Sequence, residues 1–228
     1  MKNTLVLIPG VGANEMIWQH QKRHLENEFD IRIVVANQSN DRDVLIETIL
    51  DPLPDQFYLC GHSFGGWLAQ IIASTYPKRV KKLILINTWS RCSQSFIAFI
   101  QDVLYKIETG IFKKFVEDTF STTNLAQDRD NKLTLLKQML LSAEPQSYVN
   151  QYQAILKSCE TVSLLSNISA STLIIHSKED SFFSLKESQF IKQNIPIAKL
   201  ALLHDCGHNS PLEQPQAITA LVDLWLTI

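Results

Sequence analysis

Hydrophobic positions along the chain keep two rhythms, and the rhythms alternate. Short apolar runs that favour β-structure cover residues 4–8, 31–35, 57–60, 82–86, 172–176 and 199–203. The first is an unbroken row of β-branched residues and leucine, as in a strand buried on both faces. Helical spacing occupies residues 14–29, 44–50, 67–76, 185–193 and 214–226, with Pro52, Pro54 and Pro77 as stops. Strand–helix alternation implies right-handed crossovers and a parallel sheet with helices on both faces. Between residues 89 and 171 the pattern changes. The runs 95–107, 111–119, 130–141 and 147–157 are all helical in period, and none reads as a strand. The chain thus divides into a core, residues 1–88 and 172–228, and a helical insertion, residues 89–171, read as a lid.

Composition narrows the partners more than the fold. At 228 residues, 45% hydrophobic and 19% charged, the chain suits one folded domain with an inserted sub-domain. The net charge of -2 comes with no basic block, which argues against nucleic acid. The apolar run before Pro9 is too short for a signal peptide, and no segment reaches membrane-spanning length, so a cytoplasmic location is expected. Cys60, Cys92, Cys159 and Cys206 are scattered without a C-x-x-C pair, which predicts reduced thiols with no disulfide frame and no zinc site. His20 and His24 stand four apart but lack the glutamate of H-E-x-x-H, so they read as a solvated helix face.

One stretch carries chemistry by itself. Gly61-His62-Ser63-Phe64-Gly65 lies between the apolar run 57–60 and the helical run from Trp67, and fits the pattern G-x-S-x-G at a strand-to-helix turn. A serine on so sharp a turn needs a strained backbone and neighbours almost without side chains. Gly61 and Gly65 supply that room, and Gly66 lets the helix lie close to the sheet. The hydroxyl of Ser63 then stands above the sheet, backed by a helix N-terminus that favours developing negative charge.

In an open parallel sheet, reactive groups collect at the carboxyl ends of the strands. The fifth strand is followed by His176-Ser177-Lys178-Glu179-Asp180, and the sixth by His204-Asp205-Cys206-Gly207-His208. Ser63, Asp180 and His208 therefore form a candidate nucleophile, acid and base. Serine is too weak an acid to attack unaided. His208 is assigned to take its proton, and Asp180 to orient the imidazole and stabilise the cation. Glu179 and Asp205 are the rival carboxylates. His62, His176 and His204 read as structural, and the position after the fourth strand, Asn87, is not acidic.

The motifs Leu7-Ile8-Pro9-Gly10-Val11-Gly12-Ala13, Gly61 to Gly66, Asp180, and Gly207-His208-Asn209-Ser210-Pro211-Leu212-Glu213 together span nearly the whole chain. On them the chain resembles the α/β-hydrolase superfamily, particularly small lid-bearing carboxylesterases such as the pimeloyl-carrier-protein methyl ester esterases. That resemblance implies an α/β-hydrolase fold with six parallel strands in the order 2-1-3-4-5-6, lacking the family's first two strands. It also implies an oxyanion hole made by the backbone N–H groups of Val11 and Phe64. Pro9-Gly10 replaces the family's His-Gly, removing a side chain that often braces this loop, and residues 36–41 replace its usual Asp-x-x-Gly-x-Gly loop.

The implied activity is cleavage of a small carboxylic ester or thioester through an acyl-enzyme, with no metal or organic cofactor. Lactone opening, carbon–carbon cleavage or acyl transfer would use the same residues, and a non-catalytic ligand-binding role is the reading from another class. The substrate is an acyl compound, free or carrier-bound. The segment 90–170 holds eight Lys/Arg and eight Asp/Glu, so no basic face advertises an acidic carrier protein. Phe96, Phe99, Leu104, Phe112, Phe115, Phe120, Leu136 and Tyr148 either line an acyl pocket or form the lid's own core.

Overall fold

The computed structural model describes residues 2–119 and 129–228. Six strands, β1 (Asn3–Ile8), β2 (Phe29–Ile33), β3 (Phe57–His62), β4 (Val80–Ile86), β5 (Ser171–Ser177) and β6 (Ala198–Leu203), make one sheet in the order β2-β1-β3-β4-β5-β6. Every neighbouring pair is parallel. The order and sense match the expectation, with β1 inside the sheet and Ile8 opposite Gly61 of β3.

Helices α1 (Gln19–Leu25), α2 (Arg42–Leu50) and α3 (Phe64–Thr75) alternate with the first four strands. Four more, α4 (Gln94–Glu108), α5 (Phe112–Thr119), α6 (Arg129–Ser142) and α7 (Pro145–Lys157), follow one another between β4 and β5. The chain closes with α8 (Leu185–Asn194), the single turn α9 (Ser210–Glu213) and α10 (Pro215–Thr227). No described helix is long and apolar enough to cross a membrane.

The pleat explains the unbroken apolar rows. Val6 and Ile8 enter one core cluster with Leu59, Leu83 and Leu85, while Leu5 and Leu7 enter the other with Cys60 and Ile84. Both sets are fully buried, so neither face has room for polar alternation. The first helix differs from its expected span of 14–29. Asn14 accepts the Met16 N–H and starts a tight turn over Glu15–Trp18, and the helix proper stops at Leu25. Phe29 keeps the helical period only because it is buried; it opens β2, opposite Asn3.

The cysteine expectation needs correction. Cys92 and Cys159 form a disulfide, with Cα atoms 5.9 Å apart across 67 residues of sequence. Helix α4 leaves from the end of β4, and α7 returns toward its neighbour β5. The two ends of the helical segment therefore meet, which no local spacing reveals. Cys60 and Cys206 are free and buried.

Candidate active site

Ser63 sits between β3 and α3 with φ 53° and ψ -116°, a conformation costly for any residue with a Cβ. It is held from both sides. The Ser63 N–H donates to Ile86 O at 2.9 Å, and Thr88 Oγ1 donates to Ser63 O at 2.8 Å. The flanking glycines are a packing requirement: a Cβ on Gly61 would collide with the Gly65 backbone, and one on Gly65 with Ile8 O. A Cβ on Gly66 would strike Thr88, so this glycine serves the loop after β4.

Asp180 and His208 lie in the loops after β5 and β6 and meet Ser63 across the sheet. His208 Nε2 is 3.0 Å from Ser63 Oγ, and His208 Nδ1 is 2.9 Å from Asp180 Oδ2. The Asp180 side chain is fully buried. Burial pushes its pKa up, but the His208 charge and hydrogen bond, with the N–H groups of Phe182 and Phe183, bring it net below the ordinary range. An ionised Asp180 only accepts, so the proton of neutral His208 belongs on Nδ1 and Nε2 presents its lone pair to Ser63. The rings of Phe182 and Phe183 stand 4.7 and 5.6 Å from the imidazole and shield it.

The rival groups serve elsewhere. Glu179 is exposed and accepts the Cys206 N–H, while Asp205 is exposed at φ 53°. His176 is buried against Ser188 Oγ, and His204 is exposed.

Three side chains of the His208 support were not recognised as such from sequence. Glu213 is 5% exposed and accepts the N–H groups on both sides of the histidine, Gly207 at 2.7 Å and Asn209 at 2.8 Å. Burial raises its pKa. Asn87, at φ 44°, donates to His208 O at 2.8 Å and Ser210 Oγ at 3.1 Å. His62 Nε2 donates to His208 O at 2.8 Å. Burial, and then the His208 charge, lower the His62 pKa to about 3, so it stays neutral and keeps this bond. The only sequence signal for Glu213 was its place in the Gly207–Glu213 motif.

The loop after β1 brings Val11 to the same site. Among the described residues no protein acceptor is found for the N–H of Val11 or Phe64. The brace missing at Pro9 comes from α7, where buried Gln151 accepts the Gly12 N–H and donates to Ala36 O, both at 2.9 Å. A cavity of about 90 Å³ opens on Ser63. Phe96, Phe99, Phe112, Phe115 and Tyr148 line it, with Phe182 and Phe183 near the histidine. Leu136 is buried in one core cluster and Leu104 packs against the other, neither lining the cavity; Phe120 lies outside the described residues.

An open, doubly wound parallel sheet with a serine on a strained strand-to-helix turn is the architecture of α/β-fold hydrolases. A family model described as the alpha/beta hydrolase fold matches residues 41–215, and the chain belongs to that family. It is 25% identical to a pimeloyl-[acyl-carrier protein] methyl ester esterase of Nitrosomonas europaea, over 96% of this chain and 94% of that one. It is 23% identical to a 2-hydroxy-6-oxononadienedioate/2-hydroxy-6-oxononatrienedioate hydrolase of Pseudomonas putida, over 99% and 88%. Among solved structures, the enol-lactonase from Burkholderia xenovorans superposes with a TM-score of 0.89 at 19% identity, over 100% of this chain and 92% of that one.

Proposed function

We propose that this protein is a serine hydrolase that cleaves a small carboxylic ester or thioester through an acyl-enzyme. The observation that carries the reading is the continuous line Asp180–His208–Ser63, with contacts of 2.9 and 3.0 Å ending at a strained serine. Ser63 Oγ attacks the carbonyl carbon as its proton passes to His208 Nε2. The carbonyl oxygen becomes an oxyanion held by the Val11 and Phe64 N–H groups, where losing one donor costs about 3 kcal/mol in the barrier. The bond to the alcohol or thiol breaks, and that group leaves with the proton from His208. Water, deprotonated by the same imidazole, then hydrolyses the acyl-serine and releases the carboxylic acid. Helices α4–α7 act as the lid. Their aromatic residues exclude water and wall an acyl pocket of short reach.

The substrate is a small acyl compound, free or carrier-bound; the carrier-protein ester in the name of the Nitrosomonas europaea relative supports the second form, and the balanced charge of the segment 90–170 the first. The Cys92–Cys159 bridge weighs against a reducing cytoplasm. Four thiols titrated in freshly lysed cells support the cytoplasm, and two an oxidising compartment.

The decisive experiment is a panel of p-nitrophenyl esters of graded acyl length, run beside lactones and acyl thioesters, with fluorophosphonate labelling of Ser63. Ester turnover with labelling supports the proposal. Labelling with turnover of lactones alone moves the reaction to ring opening on the same residues. No labelling and no turnover leave a ligand-binding protein and end the proposal.

A further inference from the structure

Two buried tyrosines stand side by side on α7 against the cavity, and they differ in one respect. The rings of Tyr148 and Tyr152 have centroids 6.5 Å apart and planes inclined at 29°. The Tyr148 hydroxyl is satisfied, donating to Leu140 O at 2.6 Å. The Tyr152 side chain is 8% exposed and lines the cavity, yet no protein acceptor for its hydroxyl is found among the described residues. The Tyr152 oxygen is not one of the fully buried unpartnered atoms among the described residues, so it keeps exposure on the cavity, where a guest can reach it. Resting on the ester-hydrolase reading, we propose that Tyr152 is a specificity residue, and that its hydroxyl donates to a neutral oxygen on the substrate's acyl group, a ketone or second ester carbonyl.

The surroundings select a neutral acceptor. Among the described residues, and apart from the two histidines beside Ser63, none with an ionisable base lines the cavity. A carboxylate carried into it would lose its hydration with no cation to meet it. Burial also pushes the Tyr152 phenol up from its ordinary range, so it remains a donor at any working pH. The Phe99 ring meets Tyr152 edge-on with centroids 6.4 Å apart. The rest of the pocket wall is equally apolar, so a single donor there discriminates between otherwise similar acyl chains.

The test uses p-nitrophenyl esters in matched sets: an alkanoate, its 4-oxo and 5-oxo analogues, the monomethyl esters of succinic and glutaric acid, and the corresponding half-acids. The wild-type protein should prefer the best oxo or methoxycarbonyl substrate over the isosteric alkanoate by about tenfold in kcat/KM, the factor of one net hydrogen bond. Tyr152→Phe should bring that ratio near one. The half-acids should be the poorest substrates. Thermal unfolding separates binding from structure, because Tyr148→Phe loses an internal bond and should lower Tm, whereas Tyr152→Phe should not. The inference is overturned by no preference in the wild type, by a preference that survives Tyr152→Phe, by a half-acid as best substrate, or by a lowered Tm for Tyr152→Phe. In all four results alkanoate hydrolysis continues, and the ester-hydrolase reading stands. Absence of any ester turnover or Ser63 labelling overturns both.

Discussion

Ser63 is held chiefly by close packing and backbone, whereas His208 is held by polar side chains, one near it in sequence and two far from it. At the elbow, backbone and space decide. α3 lies so close to β3 and to the end of β1 that a Cβ on Gly61 or Gly65 cannot fit, and Ser63 stands between the two glycines at φ 53°. Around the histidine, polar side chains decide. Glu213 ties the N–H groups on either side of it, and Asn87 and His62 share its carbonyl. A strained turn between two regular elements is rigid by packing, but a loop at the sheet's edge has no such frame and needs hydrogen bonds. The contrast predicts different failures: elbow substitutions should cost folding, and loop substitutions should cost turnover.

The largest effects lie where the two regions meet. Ser63→Ala and His208→Ala should each lower kcat on a p-nitrophenyl ester by about 10³-fold or more, and the double variant should be little worse than either. Additive losses in that cycle contradict a shared mechanism. Next comes the elbow. Gly65→Ala drives a methyl into the Ile8 carbonyl and should lower unfolding free energy by about 3 kcal/mol in urea titration. A stable, fully active Gly65→Ala protein removes the packing account of the motif.

Glu213→Gln should come third. The amide accepts one of the two N–H groups and turns donors toward the other, so the loop shifts while the fold survives. A displacement near 1 Å costs up to about 100-fold, so kcat should fall by about 10- to 100-fold with KM little changed. Glu213→Asp should recover part of it. Equal loss of kcat and of stability would make Glu213 an ordinary core residue.

The smallest effect is a pH dependence. His62 has its pKa lowered to about 3, so the folded state binds fewer protons than the unfolded chain below pH 6.5. Its contribution to stability is complete above about 6.5 and declines toward pH 3, by at most about 1.4 kcal/mol per unit. Urea midpoints at pH 7, 5.5 and 4.5 should fall for the wild type and fall less for His62→Gln, which keeps a donor toward His208 O. Identical slopes in the two proteins contradict the assignment.

The same contrast explains what the sequence disclosed. Gly61, Ser63 and Gly65 fall within five residues and so could be read as one pattern, although the Gly65 contact is with Ile8 of β1, and the strand runs were legible because both faces of the sheet are buried. Asp180 and His208 followed from chain order and the rule that reactive groups gather at strand ends. Asn87 and Gln151 could not be weighed this way, since their partners are distant in the chain and only the fold joins them; Glu213 has partners four and six residues away, but no local pattern marks it as their acceptor. Gln151 lies 139 residues from Gly12. Cys92 and Cys159 illustrate the same limit, as does Phe29, whose burial satisfied a helix period and a strand start alike.

The central claim is that Ser63 becomes acylated, and trapping the intermediate tests it most directly. Turnover of a slowly hydrolysed p-nitrophenyl ester should be quenched in acid within the first cycle, and the peptide carrying residue 63 weighed. The account predicts a mass gain equal to the acyl group on Ser63, formed far more slowly in His208→Ala and absent in Ser63→Ala. An unmodified Ser63 peptide during steady hydrolysis, with activity persisting in Ser63→Ala, would contradict it.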